Sequence, residues 1–431
     1  METAAPTKAS ETWSYEPPAV GVAAPAMRSR VDSVDLLRGL VMVIMMLDHT
    51  RDFVHSQALL FEPTDLAKTY PILFFTRWIT HFCAPAFVFL AGTGSYFQIA
   101  RGKPKRELSR FLVTRGLWLI FLELTVVRIA AFWTFNFEFL GTMQVIWALG
   151  WCMIVLAALI HLRLRYIAAI GLLMIALHNL ADATHVAVWQ SPASPVPSVA
   201  AKLWMILHQG GAFPVAGWPS PVVFILYPLI PWIGVMALGY VFGTVYDLPA
   251  DERRRKLLAL GGAITVGFIA IRLTNLYGDP ADWAAQKSAA MTVVSFLNTQ
   301  KYPPSLLYLM MTLGPSIILL GLWEGFNGSP NAPATHNTFV RSLITFGRVP
   351  LFFYLLQWPV AHMAGYLLTV AVHRNTSLYF TDNPTTIPPA QGFDLWVVYV
   401  CWIAGVLFLY PVCLWYARVK ARRRDWWLSY L

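Results

Sequence analysis

Charge is what this sequence has least of. Of its 431 residues, 32 are Lys or Arg and 22 are Asp or Glu, so 13% are charged, about half the share of an ordinary soluble domain. Cysteine is scarce too: Cys83, Cys152, Cys401 and Cys413 all lie inside apolar stretches, too far apart for a CxxC pair. A disulfide scaffold and a zinc ribbon are thereby excluded. The first thirty residues hold Pro, Ala, Glu and Ser without an apolar h-region, and residues 1–30 read as a flexible cytoplasmic tail instead of a signal peptide. GxSxG elbow, P-loop and HExxH are all missing, so serine nucleophile chemistry, ATP hydrolysis and a metal centre find no support, and no metal is expected. No repeat of fixed period stands out, which speaks against an inverted-repeat transporter.

What the sequence does have is apolar length. Hydrophobic residues make up 57% of it, gathered in ten runs at about 34–54, 72–99, 111–133, 142–160, 166–188, 221–244, 257–276, 304–323, 342–372 and 394–417. Each is long enough to cross the hydrocarbon core of a bilayer as a helix. The expected fold is all-α: a polytopic transmembrane bundle of about ten helices occupying residues 31–431, with the lipid bilayer as its solvent. Eighteen Trp and 17 Tyr suit aromatic belts. The formal net charge of +10 would suit a nucleic-acid binder only if it formed a basic face, and the basic residues lie in short loops instead. With the N-terminus in the cytoplasm, the cytoplasmic segments hold twenty Lys and Arg and the outer segments six, a positive-inside signal that places both termini in the cytoplasm.

With Arg51, at the end of the first run, counted in the outer loop, six arginines remain inside the runs: Arg38, Arg115 and Arg348 toward the cytoplasmic ends, and Arg77, Arg128 and Arg272 toward the outer ends. A charge at membrane depth needs a partner or a cavity, so these are functional candidates; Arg128 could instead pair with Glu123. The first run, SVDLLRGLVMVIMMLDHTRDF, is the most informative. Arg38 and His49 stand eleven residues apart, close to three helical turns, on one stripe and about 16 Å apart in height. Asp52, three residues beyond His49, is expected to orient its ring, while Asp48 points to another side. Arg77 and His81 enter at a depth comparable to His49. His178 and Asp182, one turn apart, make a possible base and orienter, though a buried structural histidine is the commoner outcome; His362 is read as core and His161 as an interface residue.

The stretch RGLVMVIMMLDH, with Arg38 and His49 at its ends, and FCAPAFVFLAG resemble the first two helices of the acyltransferase-3 membrane enzymes, which modify sugars and glycans. More of the chain resembles the heparan-alpha-glucosaminide N-acetyltransferase family: SVDLLRGL, YPLIPWIGVMALGY, KYPPSLLYLMMTLGP, FGRVPLFFYLLQ and DWWLSYL carry the likeness. The resemblance implies a bacterial inner-membrane enzyme that takes an acyl group, most simply acetyl, from cytoplasmic acetyl-CoA and delivers it to an extracytoplasmic sugar or glycan hydroxyl or amine. It implies that Arg38 serves the acyl-CoA side, to which Arg115 and Arg348 would add cations for phosphate. It also implies that His49 is catalytic, as general base or as acyl carrier, with Arg77 stabilising the oxyanion. The family's histidine lies in the loop after the first helix, which makes His55 a rival to His49, with His81 a further imidazole at that level. A transporter using the same Arg/His/Asp layer is the alternative function, and a homo-oligomer remains open.

Overall fold

The computed structural model describes residues 31–58, 60–324, 337–380, 392–423 and 425–430; the expected tail at 1–30 lies outside them. The chain runs α1 (Asp32–Val54), α2 (Pro71–Thr80), α3 (Cys83–Ala100), α4 (Lys105–Leu122), a π-helical turn over Glu123–Val127, and α5 (Arg128–Phe132). There follow β1 (Phe139–Met143), α6 (Val145–Leu159), α7 (Leu164–Leu177), α8 (Val199–Trp204), β2 (Gly211–Pro214) and β3 (Val222–Ile225). The remainder is helical: α9 (Leu229–Phe242), α10 (Ala250–Thr274), α11 (Ala289–Leu297), α12 (Leu306–Trp323), α13 (Thr338–Arg348), α14 (Pro350–Ala371) and α15 (Leu395–Arg422).

Among the described residues, seven helices are long and apolar enough to cross a membrane. They correspond to the expected runs two, five, six, seven, eight, nine and ten. The other three runs also fold as helices but are shorter or more polar: α1 carries six charged residues, α4 opens on the basic turn Lys105–Arg106, and α6 has only 15 residues. Helix α1 is packed by α2, α3, α12, α13, α14 and α15, and Asp35, Asp48 and Arg51 of its six charges are largely covered by protein. Helices α7, α10 and α15 turn apolar side chains such as Leu172, Val266 and Leu407 outward, as peripheral helices in lipid do.

Three of the runs are not single helices. The ninth breaks between Arg348 and Pro350, because the residue before a proline is pushed out of the helical region. Val349 has φ −131° and ψ 47°, so Arg348 ends the separate helix α13. The second turns at His81 and Phe82, where Pro85 has no N–H to give the carbonyl of His81; the Tyr308 hydroxyl donates to that carbonyl instead, at 2.8 Å. The sixth begins as a strand: β3 pairs parallel with β1 and antiparallel with β2 in a three-stranded sheet ordered β1-β3-β2. The chain is thus mostly helical, in line with the all-α expectation, with one small mixed sheet that the expectation did not include.

Helices meet at glycine. A Cβ on Gly39 would stand 1.8 Å from the carbonyl oxygen of Leu343, and one on Gly347 would stand 1.8 Å from that of Asp35. Helices α1 and α13 thus touch backbone to backbone, as membrane helices do when side-chain packing and not water drives association. Gly92 and Gly239 make the same kind of crossing between α3 and α9.

Candidate active site

A cavity of about 440 Å³ opens at the C-terminal end of α1. Helix α1 supplies Met45, Asp48, His49 and Asp52; α2 and α3 supply Arg77 and Cys83; the link from α5 through β1 supplies Ala131, Thr142 and Gln144. Opposite stand Lys301 and Tyr302 from the turn before α12, and Trp358 and His362 from α14. The wall is thus assembled from segments more than 300 residues apart in sequence.

His49 is buried, and its ring stacks on Trp358 with centroids 3.9 Å apart and planes 26° apart, while Tyr354 meets it edge-on at 6.2 Å. Its Nδ1 is enclosed without a hydrogen-bond partner among the described residues, so aromatic stacking fixes the ring. The expected orienter is elsewhere: Asp52 accepts from Arg51 at 2.5 Å, because its half-exposed carboxylate lies beside that guanidinium. Asp48, set aside at the sequence level, is the hub, bound by Arg77 and by Arg51 at 3.3 Å. Arg51, counted above with the outer loop, lies in the last turn of α1 and is buried. A carboxylate between two guanidiniums keeps all three charged under burial, since breaking such a set leaves a naked ion. Lys301 adds a further buried cation, its ammonium 5.1 Å from the Tyr302 ring centre.

The rival histidines stand outside this wall. His55 caps α1, forms a β-bridge with Phe393, and is buried; burial, aided by the charge of Arg51, lowers its pKa from the ordinary value. His81 packs against Tyr308. His362, expected in the core, is clamped between Phe53 and Trp133 at 4.5 and 4.1 Å and does line the cavity. Arg128 and Arg272 turn to backbone carbonyls. Arg128 donates to Thr134 at 2.7 Å and Phe139 at 3.1 Å, while Glu123 takes the Trp147 amide. Arg272 donates to Ala281 at 2.7 Å and Asn298 at 2.9 Å. Both organise loops at the His49 end.

At the opposite end of α1, Arg38 contacts Asp35 at 3.1 Å, and Arg348 reaches Asp32 at 3.7 Å and Asp35 at 4.0 Å. Arg115 lies within electrostatic range of Arg38, with its guanidinium 5.9 Å from the Phe111 ring centre. None of the three lines the cavity. The chain therefore has two polar poles joined by α1, with Arg38 near one and His49 at the other. Asp48, Arg51, Lys301 and Trp358 were missed from sequence; the three-residue spacing of Asp48 and Arg51 was a usable signal, whereas Trp358 reaches His49 only through the fold.

No match is found among the curated proteins compared. Residues 30–271, more than half of the chain and including Arg38, His49, Asp48 and Arg77, match the family model for the heparan-alpha-glucosaminide N-acetyltransferase catalytic region, and the chain belongs to that family.

Proposed function

We propose that this protein is an integral membrane acetyltransferase that takes the acetyl group of acetyl-CoA from the cytoplasmic side and delivers it to a sugar hydroxyl or amine on the outer side. The observation that carries the reading is His49 in the wall of a cavity at one end of α1, with an arginine cluster at the other. In this reading all ten helical runs cross the bilayer and both termini are cytoplasmic, as the distribution of Lys and Arg supports. The first-helix spacing shared with the acyltransferase-3 enzymes supports the same chemistry.

Arg38, Arg115 and Arg348 would receive the CoA phosphates, exchanging their present contacts for stronger charge-assisted ones. The pantetheine arm would then run along α14. That helix supports the path: both amide atoms of Gln357 are buried without hydrogen-bond partners among the described residues. Buried polar atoms of this kind call for a polar occupant. At the cavity, His49 takes the proton of the acceptor as the acceptor's oxygen or nitrogen bonds to the acyl carbon. The negative charge that develops on the acyl oxygen faces Lys301, Tyr302 and Arg77. The carbon–sulfur bond then breaks, and His49 returns the proton to the departing sulfur, regenerating neutral imidazole and free CoA.

The test is transfer of radiolabelled acetyl from acetyl-CoA to glucosamine in sealed vesicles of both orientations. Product should form when acetyl-CoA meets the cytoplasmic face and acceptor the outer face. Transfer that requires both on one face would overturn the two-sided reading. His49→Gln should lower the rate by at least about a hundredfold, the lower range for loss of a general base; a near-normal rate in that variant together with inactivity of His55→Gln would move the role to the loop.

A further inference from the structure

A second cluster of chemistry-bearing side chains lies apart from the cavity. His178 and Asp182 sit one turn apart on the short 3-10 segment and turn that follow α7, and His208 sits in the π-helical turn Met205–Gln209 between α8 and β2. We propose that these three residues form a divalent transition-metal site of zinc type. The ring nitrogens and the carboxylate oxygen lie within 4.8 Å of one another, and His208 Nε2 is 3.1 Å from Asp182 Oδ1. A tetrahedral ion with bonds of about 2.0–2.1 Å holds its ligands about 3.3 Å apart. One pair is therefore already at ligand spacing, and a small rotation of His178 brings in the third.

Three further observations point to an ion. First, His178 and His208 are 6% and 2% exposed. Neither His178 ring nitrogen, nor Nδ1 of His208, has a hydrogen-bond partner among the described residues. Imidazoles enclosed in this way are left unsatisfied in protein alone, and a metal satisfies them. Second, the carboxylate is aimed. Asn179 donates to Asp182 Oδ2 at 2.7 Å while its own carbonyl accepts the Leu306 amide at 2.9 Å, which leaves Oδ1 directed at His208. An outer shell that orients a ligand is what a metal site needs. Third, His208 stands in a π-turn, a local departure from α geometry that recurs at functional sites. The Asp182 side chain is 19% exposed, which leaves a side open for a fourth ligand and for metal entry.

The ion would join the end of α7 to the segment that opens β2. Because β2 pairs with β3 and β3 with β1, which carries Thr142 of the cavity wall, the clip would hold the sheet beside the cavity. His→Gln and Asp→Asn changes preserve size while removing a ligand. The protein, purified without a histidine tag and stripped with chelator, is titrated with Co2+ and then Zn2+. It should bind one Co2+ per chain with the visible absorption of a four- or five-coordinate ion, lost on addition of Zn2+. Asp182→Asn and His208→Gln should each weaken binding at least tenfold. Asn179→Ala, which keeps all three ligands, should weaken it by about 10–100-fold, so the proposal stays testable if a ligand variant fails to fold. Absence of binding in the wild type, or equal binding in all four proteins, overturns it.

Discussion

His49 depends on neighbours that the residue itself does not announce. Stacked on Trp358 at 3.9 Å and lacking a carboxylate orienter, it should be more sensitive to loss of the indole than to loss of Asp52. Trp358→Leu is expected to lower acetyl transfer by about tenfold or more, since a misplaced catalytic group costs rate steeply. Asp52→Asn should change it little. Parallel rate measurements on the two variants decide the point, and the opposite order would restore Asp52 as orienter. Beneath His49, the Asp48–Arg77 pair should behave as a unit. Arg77→Met alone is expected to destabilise by about 3–5 kcal/mol, because Asp48 then loses a buried partner. Asp48→Asn combined with Arg77→Met should cost less than the sum of the two single changes. Thermal melting of the purified variants supplies this cycle.

That Arg38 and His49 lie on one helix toward its opposite ends was legible from an eleven-residue spacing, because helical periodicity is local. The stacking of Trp358, the position of Lys301 and the meeting of His208 with His178 were not legible. They join residues separated by 309, 252 and 30 positions in sequence, and only packing decides such meetings. Asp52 misled for a related reason: a three-residue spacing shows which side chains share a face, but the adjacent Arg51 captured the carboxylate first.

Among the elements, apolar length told truly where helices form and poorly where they end. Run nine concealed a break at Val349–Pro350, and run six concealed β3, because strand and buried helix look alike in a short apolar stretch. The glycine crossings give a test of opposite signs. Gly347→Val would press on the Asp35 carbonyl and should destabilise by about 1–3 kcal/mol, the usual cost of overpacking. Gly262, also in a helix, has nothing within 4 Å of where a Cβ would stand, so Gly262→Ala should stabilise by about 0.5–1 kcal/mol. Melting temperatures of the two variants, compared with wild type, should move in opposite directions.

For the whole molecule, orientation is the first thing to fix. A reporter joined after Leu431 should be cytoplasmic and one inserted near Pro195 should be external, and the reverse result would invert the assignment of both poles. The central place of α1 has a further consequence for how the protein is made. Among the first helices to emerge from the ribosome, α1 brings six charges, three toward each end, which need partners or a polar interface. Its packing partners α13, α14 and α15 are among the last to be synthesised. For most of translation α1 has only α2 and α3 beside it, and its packing is completed only when the C-terminal helices arrive. Chains cut short after α10 would therefore be recognised and degraded, although they contain every residue of the matched family region.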